Sequence, residues 1–508
     1  MVVRGVECPC VTSKRLIFSV LDIVYILAMS GLTVFGLHRF FLLATSLSMS
    51  AHEPGNQRLN QLTIDDAEMP SVTVQLPIYN EQHVVNRLID AVCNLDYDLN
   101  RLEIQVLDDS TDQTTQFVDE SVDAWQNRGY PIKVIRRSNR EGFKAGALAA
   151  GLAQSTGQFV AMFDADFIPD PSFLKKALRE FTDAKIGMVQ ARWAHYNRHE
   201  SLLTEAQAIL LDGHFIIEQR ARWGMGVWFN FNGTAGVWRR TCIDEAGGWA
   251  HETLTEDLDL SYRAQMKGWS FKYVNHLSVS SELPTAMNAF RSQQHRWAKG
   301  SIQVAQKLLS SILKGPFSIR RKFEATCHLL ANLNYLFVTA LCLCLPLLIV
   351  SNREAILFSQ VGHHLFLTGA LCFGLFYVGS QINQQPLFRA CLFVPVVFAL
   401  GLGLCLNNTR AVIEALLGHT SPFIRTPKLG KSSRGVADTI AYKVPTSTIT
   451  RFVETTLLGV YVVCLIYCIF FERWHHLPLI LLFCAAFSAH QWTKLPWLRR
   501  RVTTLDHL

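Results

Sequence analysis

The apolar residues of this chain are segregated rather than spread, and this limits what it can fold into. Residues 16–37, "LIFSVLDIVYILAMSGLTVFGL", form one apolar window. It is long enough to cross a bilayer core about 30 Å thick. Windows at 329–350 and 453–471 are of the same kind, and 363–382, 389–406 and 476–492 are less clean. Between 70 and 300 there is no such window, and polar and apolar residues mix. The layout predicts one N-terminal span, a soluble domain over 70–300 and a membrane block after it. The first span is too long for a secretory h-region, and no small-residue cleavage signal follows, so it reads as an anchor.

The formal net charge is +7, much of it in "RTPKLGKSSRGVADTIAYK" and the C-terminal "KLPWLRRR". Basic residues beside apolar spans fit the positive-inside pattern, not a nucleic-acid footprint. A lipid bilayer is therefore an expected partner, and nucleic acid is not. There are 13 cysteines and no CxxC; eight lie in or beside apolar spans. There Cys behaves as a small hydrophobe, so no disulfide framework is expected.

Within the soluble domain, short apolar runs end in acidic or turn residues. "VTVQLP" (72–77), "LEIQVLDD" (102–109), "KVIRR" (133–137) and "QFVAMFDAD" (158–166) read as buried strands. Helical stretches at 81–93, 113–127 and 143–153 separate them. Alternating strand and helix predicts an α/β, mostly parallel, doubly wound sheet. Ligands of such sheets bind outside the carboxyl ends of the strands.

Two strands end in carboxylates. In "FDADF", Asp164 and Asp166 flank one alanine. Residues two apart on an extended chain share a side, so both can hold one hard divalent cation. A solvated turn is the plain alternative, and the preceding buried run argues against it. In "LDDSTD", Asp108 or Asp109 can accept from a nucleobase or ribose, while Ser110 or Asp112 can cap the next helix. "GFKAGALAAG" puts Lys144 among small residues at a helix start, where an anion is favoured. "TEDLDL" puts Glu256 and Asp257 in a first helical turn. They either complement the helix dipole or present a general base. Residues 292–300, "SQQHRWAKG", crowd amides, an imidazole, a guanidinium and an indole together.

"PIYNE" (77–81), "LDDSTD", "FDADF", "TED" (255–257) and "QQHRW" (293–297) follow one another in the order of the D, DxD, TED, QxxRW motifs. This set resembles the processive, cellulose synthase-like branch of the family 2 glycosyltransferases over residues 70–300. "FNFNGTAGVWRR" and "ELPTAMNAFRSQQHRW" are most similar to the plant glucomannan synthase-like (CslA) subgroup and its bacterial relatives. "FIRTPK" (423–428) is similar to that family's FxVTxK gating loop, with Arg425 in place of valine. The resemblance implies a GT-A type nucleotide-sugar-binding domain inserted between transmembrane helices. It implies a Mg²⁺ or Mn²⁺ on Asp164 and Asp166 and a base at Asp257. Donor contacts would come from Asp108, Asp109, Lys144, Asp164, Gln293, Arg296, Thr426 and Lys428. Trp297 and Glu256 would hold the acceptor, an indole covering the C–H face of a sugar.

The implied reaction is inverting, processive synthesis of a β-linked glucan or mannan-like polymer from UDP-glucose or GDP-mannose onto a growing glycan, with passage into a membrane channel. The alternative is a single-sugar transferase acting on a lipid acceptor. A transporter is disfavoured because the apolar block shows no internal repeat, and a dead binding subunit because the acidic set is intact. The expected organisation is an N-terminal segment (1–15), anchor (16–48), catalytic domain (70–300) and interface helices (301–328). Membrane segments (329–407), an interface helix and gating loop (408–448), a hairpin (449–492) and a basic tail (493–508) follow. The setting is a multi-pass integral membrane protein of the bacterial inner membrane or the Golgi, with a cytosolic catalytic domain. One conflict arises: if 329–350, 363–382 and 389–406 all span, the catalytic domain lies opposite its gating loop. One segment is therefore expected to be re-entrant, tilted or interfacial, most readily one of the two shorter ones, broken near "NQQPLF" (383–388).

Overall fold

The computed structural model describes residues 9–50, 69–350, 356–420, 428, 430 and 448–488. The basic tail, Thr426 and most of the 421–447 segment lie outside the described residues.

The four apolar runs form strands β1 (Val72–Ile78), β2 (Leu102–Asp108), β3 (Ile132–Ile135) and β4 (Phe159–Met162). Three further strands, β5 (Ile186–His195), β6 (Gly236–Arg239) and β7 (Ser270–Ser281), complete one sheet in the order β3-β2-β1-β4-β6-β5-β7. β1 pairs in parallel with both β2 and β4, so the chain winds one way from β1 and then returns to its other side. That reversal opens a crevice at the strand ends, where α/β sheets take ligands. β6 runs antiparallel to both β4 and β5, a departure from the mostly parallel reading.

Helices cover both faces. In Val85–Cys93 the buried residues Val85, Leu88, Ile89 and Val92 fall at helical spacing and pack on the sheet. Helix Thr114–Gln126 takes its first free amide from Asp112, whose Oδ1 accepts from Thr114 N at 2.9 Å. Ser110 instead accepts from Asn80 N, tying the ends of β1 and β2 together.

Helix Pro9–Ser50 extends past the expected anchor on the N-terminal side. By length and composition, Val20–Met49, Ala331–Val350 and Thr450–Phe470 are candidate membrane spans. His364–Ser380 and Leu477–Ser488 are shorter apolar helices. Leu387–Gly403 and Cys405–Leu416 form a pair bent by 43°. Leu387–Gly403 packs on the catalytic unit, as do Leu42 and Leu43 of Pro9–Ser50 and Phe376 of His364–Ser380. Phe393, Val397 and Leu400 bury against Leu203, Ile209, Met287 and Phe290 of the catalytic unit. Its C-terminal Gly403 carbonyl accepts from Arg291, and Arg389 near its start lies 3.9 Å from Glu205. Both ends therefore meet the same body. The preceding turn holds Gln381, which donates to Asp212 and accepts from Arg198. The chain does break at the expected 383–388 turn, and again at Leu404.

Buried ion pairs fasten the helices to the catalytic unit: Arg291 to Glu454 at 2.8 Å, Arg222 to Glu324 at 2.9 Å, and Arg39 to Glu218. Losing one partner of such a pair strands a buried charge at a cost of about 3–5 kcal/mol, so these contacts fix the docking geometry. The eleven cysteines whose side chains are described are free.

Candidate active site

One cleft opens at the β1/β4 reversal, and most of the predicted site residues line it. Asp109, Lys144, Asp164, Asp166, Glu256, Asp257, Gln293, Arg296, Trp297 and Lys428 all face it. They come from six separate chain segments, so their convergence is a product of the fold.

The strand-end pair lies just beyond β4. Asp164 Oδ1 accepts from Lys144 Nζ at 2.5 Å, and Lys144 also donates to the Gly233 carbonyl at 2.9 Å. Burial works against the Lys144 charge, but Asp164 and Glu256 outweigh it and hold the ammonium above the ordinary lysine pKa. Asp166 is buried, and its Oδ2 accepts from Lys428 Nζ at 2.8 Å and from Glu282 N at 3.0 Å. Lys428 thus reaches the site from a segment far along the chain, as the gating-loop resemblance implies. Among the described residues no group of three or more His, Cys, Asp or Glu is placed to hold a metal ion. Two hard carboxylates, each already set against a positive charge, are what this region offers a cation.

The helix-tip pair begins helix Glu256–Met266. Asp257 Oδ1 accepts from Leu258 N at 2.8 Å. Burial and the adjacent Glu256 carboxylate push the Asp257 pKa up to about 7. Burial also raises Glu256. A carboxylate near neutrality is suited to accepting a proton at working pH. Gly233, at φ +80°, sits where a Cβ would stand 3.0 Å from Asp257 Oδ2, so only glycine fits beside the carboxylate without strain or crowding.

Gln293, Arg296 and Trp297 lie on helix Met287–Lys314 at i, i+3 and i+4, which places them on one face. His295 turns away to Glu414 at 3.3 Å, and Gln294 does not line the cleft. The crowding in "SQQHRWAKG" therefore resolves into two faces. Its glycine has a separate job: a Cβ at Gly300 would lie 2.5 Å from Thr255 Cγ2, so this helix and the TED turn meet nearly backbone to side chain.

Two donor-side expectations change. Asp108 does not line the cleft. It is buried, with Oδ2 held by Arg136 Nε at 3.0 Å and Oδ1 by Ser110 N at 3.0 Å. Of adjacent residues on a strand, only one can face the crevice, and it is Asp109. Asp109 is clamped by Arg137 through both oxygens, at 3.0 and 2.5 Å. Both arginines come from "KVIRR", whose two adjacent positive charges at a strand end were the available signal. Thr426 lies outside the described residues. Sequence reasoning also singled out no role for four cleft residues: Tyr79 of "PIYNE", with Arg140 stacked 3.2 Å above its ring, Asn232 of "FNFNGTAGVWRR", and Trp193 and His195, which belong to no named motif.

Residues 70–300 match the family described as Glycosyltransferase like family 2. Glucomannan 4-beta-mannosyltransferase 2 of Arabidopsis thaliana is 35% identical over 401 residues, 75% of this chain and 72% of that protein. Glucomannan 4-beta-mannosyltransferase 1 of Oryza sativa is 42% identical over 267 residues, 51% of this chain and 51% of that one. Among solved structures, a mannosyltransferase from Pyrobaculum calidifontis in complex with GDP-Man and Mn²⁺ superposes with a TM-score of 0.56 at 18% identity. It covers 79% of this chain and 100% of that one, and shows that the fold is shared. The chain belongs to the family 2 glycosyltransferases, in the cellulose synthase-like subgroup of the glucomannan 4-beta-mannosyltransferases, and is a nucleotide-sugar-dependent hexosyltransferase.

Proposed function

We propose that this enzyme is a membrane-embedded, inverting and processive synthase of a β-linked mannan-like polymer, with GDP-mannose as donor. The observation that carries this is the single cleft holding a nucleotide end, a carboxylate pair, a base of raised pKa and an indole. The names of the plant relatives, and the GDP-Man bound to the archaeal structure, favour mannose over glucose.

The nucleoside lies at the β1/β2 end, between Asp109 and the stacked Tyr79 and Arg140. Lys144 and Arg296 take the diphosphate, Arg296 through a planar fork that donates two hydrogen bonds. Asp164 and Asp166 are the residues that would hold a Mg²⁺ or Mn²⁺. Such an ion, when bound, neutralises the charge developing on the leaving group. Trp297 covers the apolar face of the acceptor's terminal sugar, with Glu256 beside it. Asp257 removes the proton of the acceptor hydroxyl as that oxygen attacks the anomeric carbon. Attack opposite the leaving diphosphate inverts the centre.

The contact of Lys428 with Asp166 supports a gating segment on the same side of the membrane as the catalytic domain. The packing of Leu387–Gly403 on that domain supports an interfacial helix there, which removes the conflict over three spans. On this reading the catalytic domain is cytosolic and the polymer leaves through the membrane block.

The test is to give the purified full chain in lipid nanodiscs labelled GDP-mannose or UDP-glucose separately, with Mg²⁺ or Mn²⁺. A product cut by an endo-β-1,4-mannanase is expected from GDP-mannose. Polymer from UDP-glucose alone, or release of single mannosyl units with no chain growth, overturns the reading.

A further inference from the structure

Among the polar atoms of cleft residues that are buried and have no hydrogen-bond partner among the described residues are Trp193 Nε1, His195 Nε2 and Thr255 Oγ1, of which the first two stand together on one strand. Neither residue belongs to a catalytic motif. Both stand on the last turns of the β5 ladder, two residues apart, so they point to the same side about 7 Å from each other.

The polarity of each atom can be worked out. The indole Nε1–H only donates. For His195, Nδ1 lies 3.1 Å from Ser281 Oγ, and that hydroxyl gives its own proton to the Ala194 carbonyl at 3.2 Å. With its proton so engaged Ser281 accepts, and that arrangement corresponds to the tautomer with the His195 proton on Nδ1. Burial, with Arg198 and Lys428 nearby, pushes the His195 pKa down to about 3, so the ring is neutral. Its Nε2 is a bare acceptor. The pair offers one donor and one acceptor, as two sugar hydroxyls require.

An unsatisfied buried atom alone does not define a site. Trp238 Nε1 and Trp249 Nε1 are also unpaired, yet neither lines the cleft. Trp193 and His195 differ because both residues line the cleft and because their mounts are rigid. The Trp193 ring is braced by Phe167 and Phe215, with centroids 5.1 and 5.0 Å away. A rigid donor or acceptor left without its partner costs free energy that a matching ligand recovers.

Strand order says which part of the ligand they meet. Asp109 follows β2, and the strand-end carboxylates follow β4, two strands on. β5 lies two strands further still, about 19 Å from β2 at the usual strand spacing. A nucleotide held at β2 with its diphosphate at β4 puts sugar, not base, at β5. We propose that Trp193 and His195 read the hydroxyls of the acceptor sugar resting on Trp297, the indole donating to one hydroxyl and the imidazole accepting from another. This rests on the glycan-synthase reading of the same cleft. It makes the two residues specificity determinants, since a site built to bond a hydroxyl rejects a sugar lacking it.

The experiment uses the full chain in nanodiscs, with β-1,4-manno-oligosaccharides as acceptors and GDP-mannose as donor. Trp193→Phe keeps the ring and removes only the N–H; His195→Phe removes Nε2. Each is expected to raise the acceptor KM about tenfold and leave the donor KM unchanged. A series of monodeoxy acceptors provides the second arm. One deoxy position should weaken the unmodified enzyme about tenfold and the Trp193→Phe enzyme not at all. Equal losses in donor and acceptor KM, or deoxy penalties that persist unchanged in both variants, overturn the proposal. If a variant folds poorly, ¹⁵N-indole labelling of the unsubstituted chain still decides. The Trp193 N–H resonance must shift when oligosaccharide is added, and an unmoved resonance overturns the proposal. An unsubstituted chain that transfers no sugar from any nucleotide donor rejects the glycan-synthase reading instead.

Discussion

Two carboxylate pairs share this cleft, and their surroundings give them opposite characters. Asp164 and Asp166 leave the end of a strand, and each holds a lysine ammonium, at 2.5 and 2.8 Å. Glu256 and Asp257 sit at a helix tip, where the nearest lysine nitrogen is 3.9 Å from Glu256. Crowded and buried, the second pair is pushed toward the protonated form, and Asp257 reaches about 7. A carboxylate set against positive charge suits a cation; one starved of it suits a proton. Four acidic residues of nearly the same chemistry are thus divided between two tasks by what lies beside them.

The strongest way to break this division is to remove one member of each pair. Asp257→Asn should lower sugar transfer about 10²–10⁴-fold while nucleotide binding stays normal, read by calorimetry beside a transfer assay. No concentration of metal should restore it. Asp166→Asn should cost about 10–100-fold in divalent-metal affinity, and excess Mn²⁺ should recover part of the activity. If metal rescues the helix-tip variant and not the strand-end one, the assignment is reversed.

A pH profile sharpens the comparison. Transfer should rise with pH through about 7 on its acid limb, as Asp257 deprotonates. Glu256→Gln removes the adjacent negative charge and should move that limb to lower pH. The sign for stability is opposite. The raised Asp257 pKa means that the folded state holds its proton more tightly than the unfolded one. This contribution is fully present below the ordinary aspartate pKa of about 4 and is lost as pH rises through about 7. Asp257→Asn should flatten that window in a denaturant titration. An acid limb unmoved by Glu256→Gln counts against coupling between the two.

The smallest effect concerns Lys428. Lys428→Met takes a positive charge off Asp166, so the nucleotide-free chain should bind Mn²⁺ severalfold more tightly by paramagnetic titration, since an ion no longer displaces an ammonium. Unchanged or weaker binding means that the lysine does not compete for that carboxylate.

The β1–β4 half of the sheet was legible because its strands are short apolar runs that end at Pro, Asp or Arg. The other half was not. β6 has four residues inside "FNFNGTAGVWRR", and its antiparallel direction depends on β4 and β5, which are distant in sequence. Asp109 was readable as a cleft residue from its strand end, but the role of Asp108 depended on Arg136, and only the fold brings them together. Trp193 and His195 were invisible for a related reason. A Trp and a His in "ARWAHYN" look like ordinary strand residues until one knows that Trp193 Nε1 and His195 Nε2 have no partner among the described residues. The motif residues could be read because their chemistry is unusual; these two depend on a tertiary vacancy that no local pattern records.

Gly300 carries a consequence for how product advances. With no side chain there, helix Met287–Lys314 and the TED turn touch closely enough to move as one body. On the proposed reading, Trp297 and Asp257 would then keep a constant separation through every turnover. A glycan growing by one unit would slide across a stationary indole, its step size set by the polymer and not by a stroke of the protein.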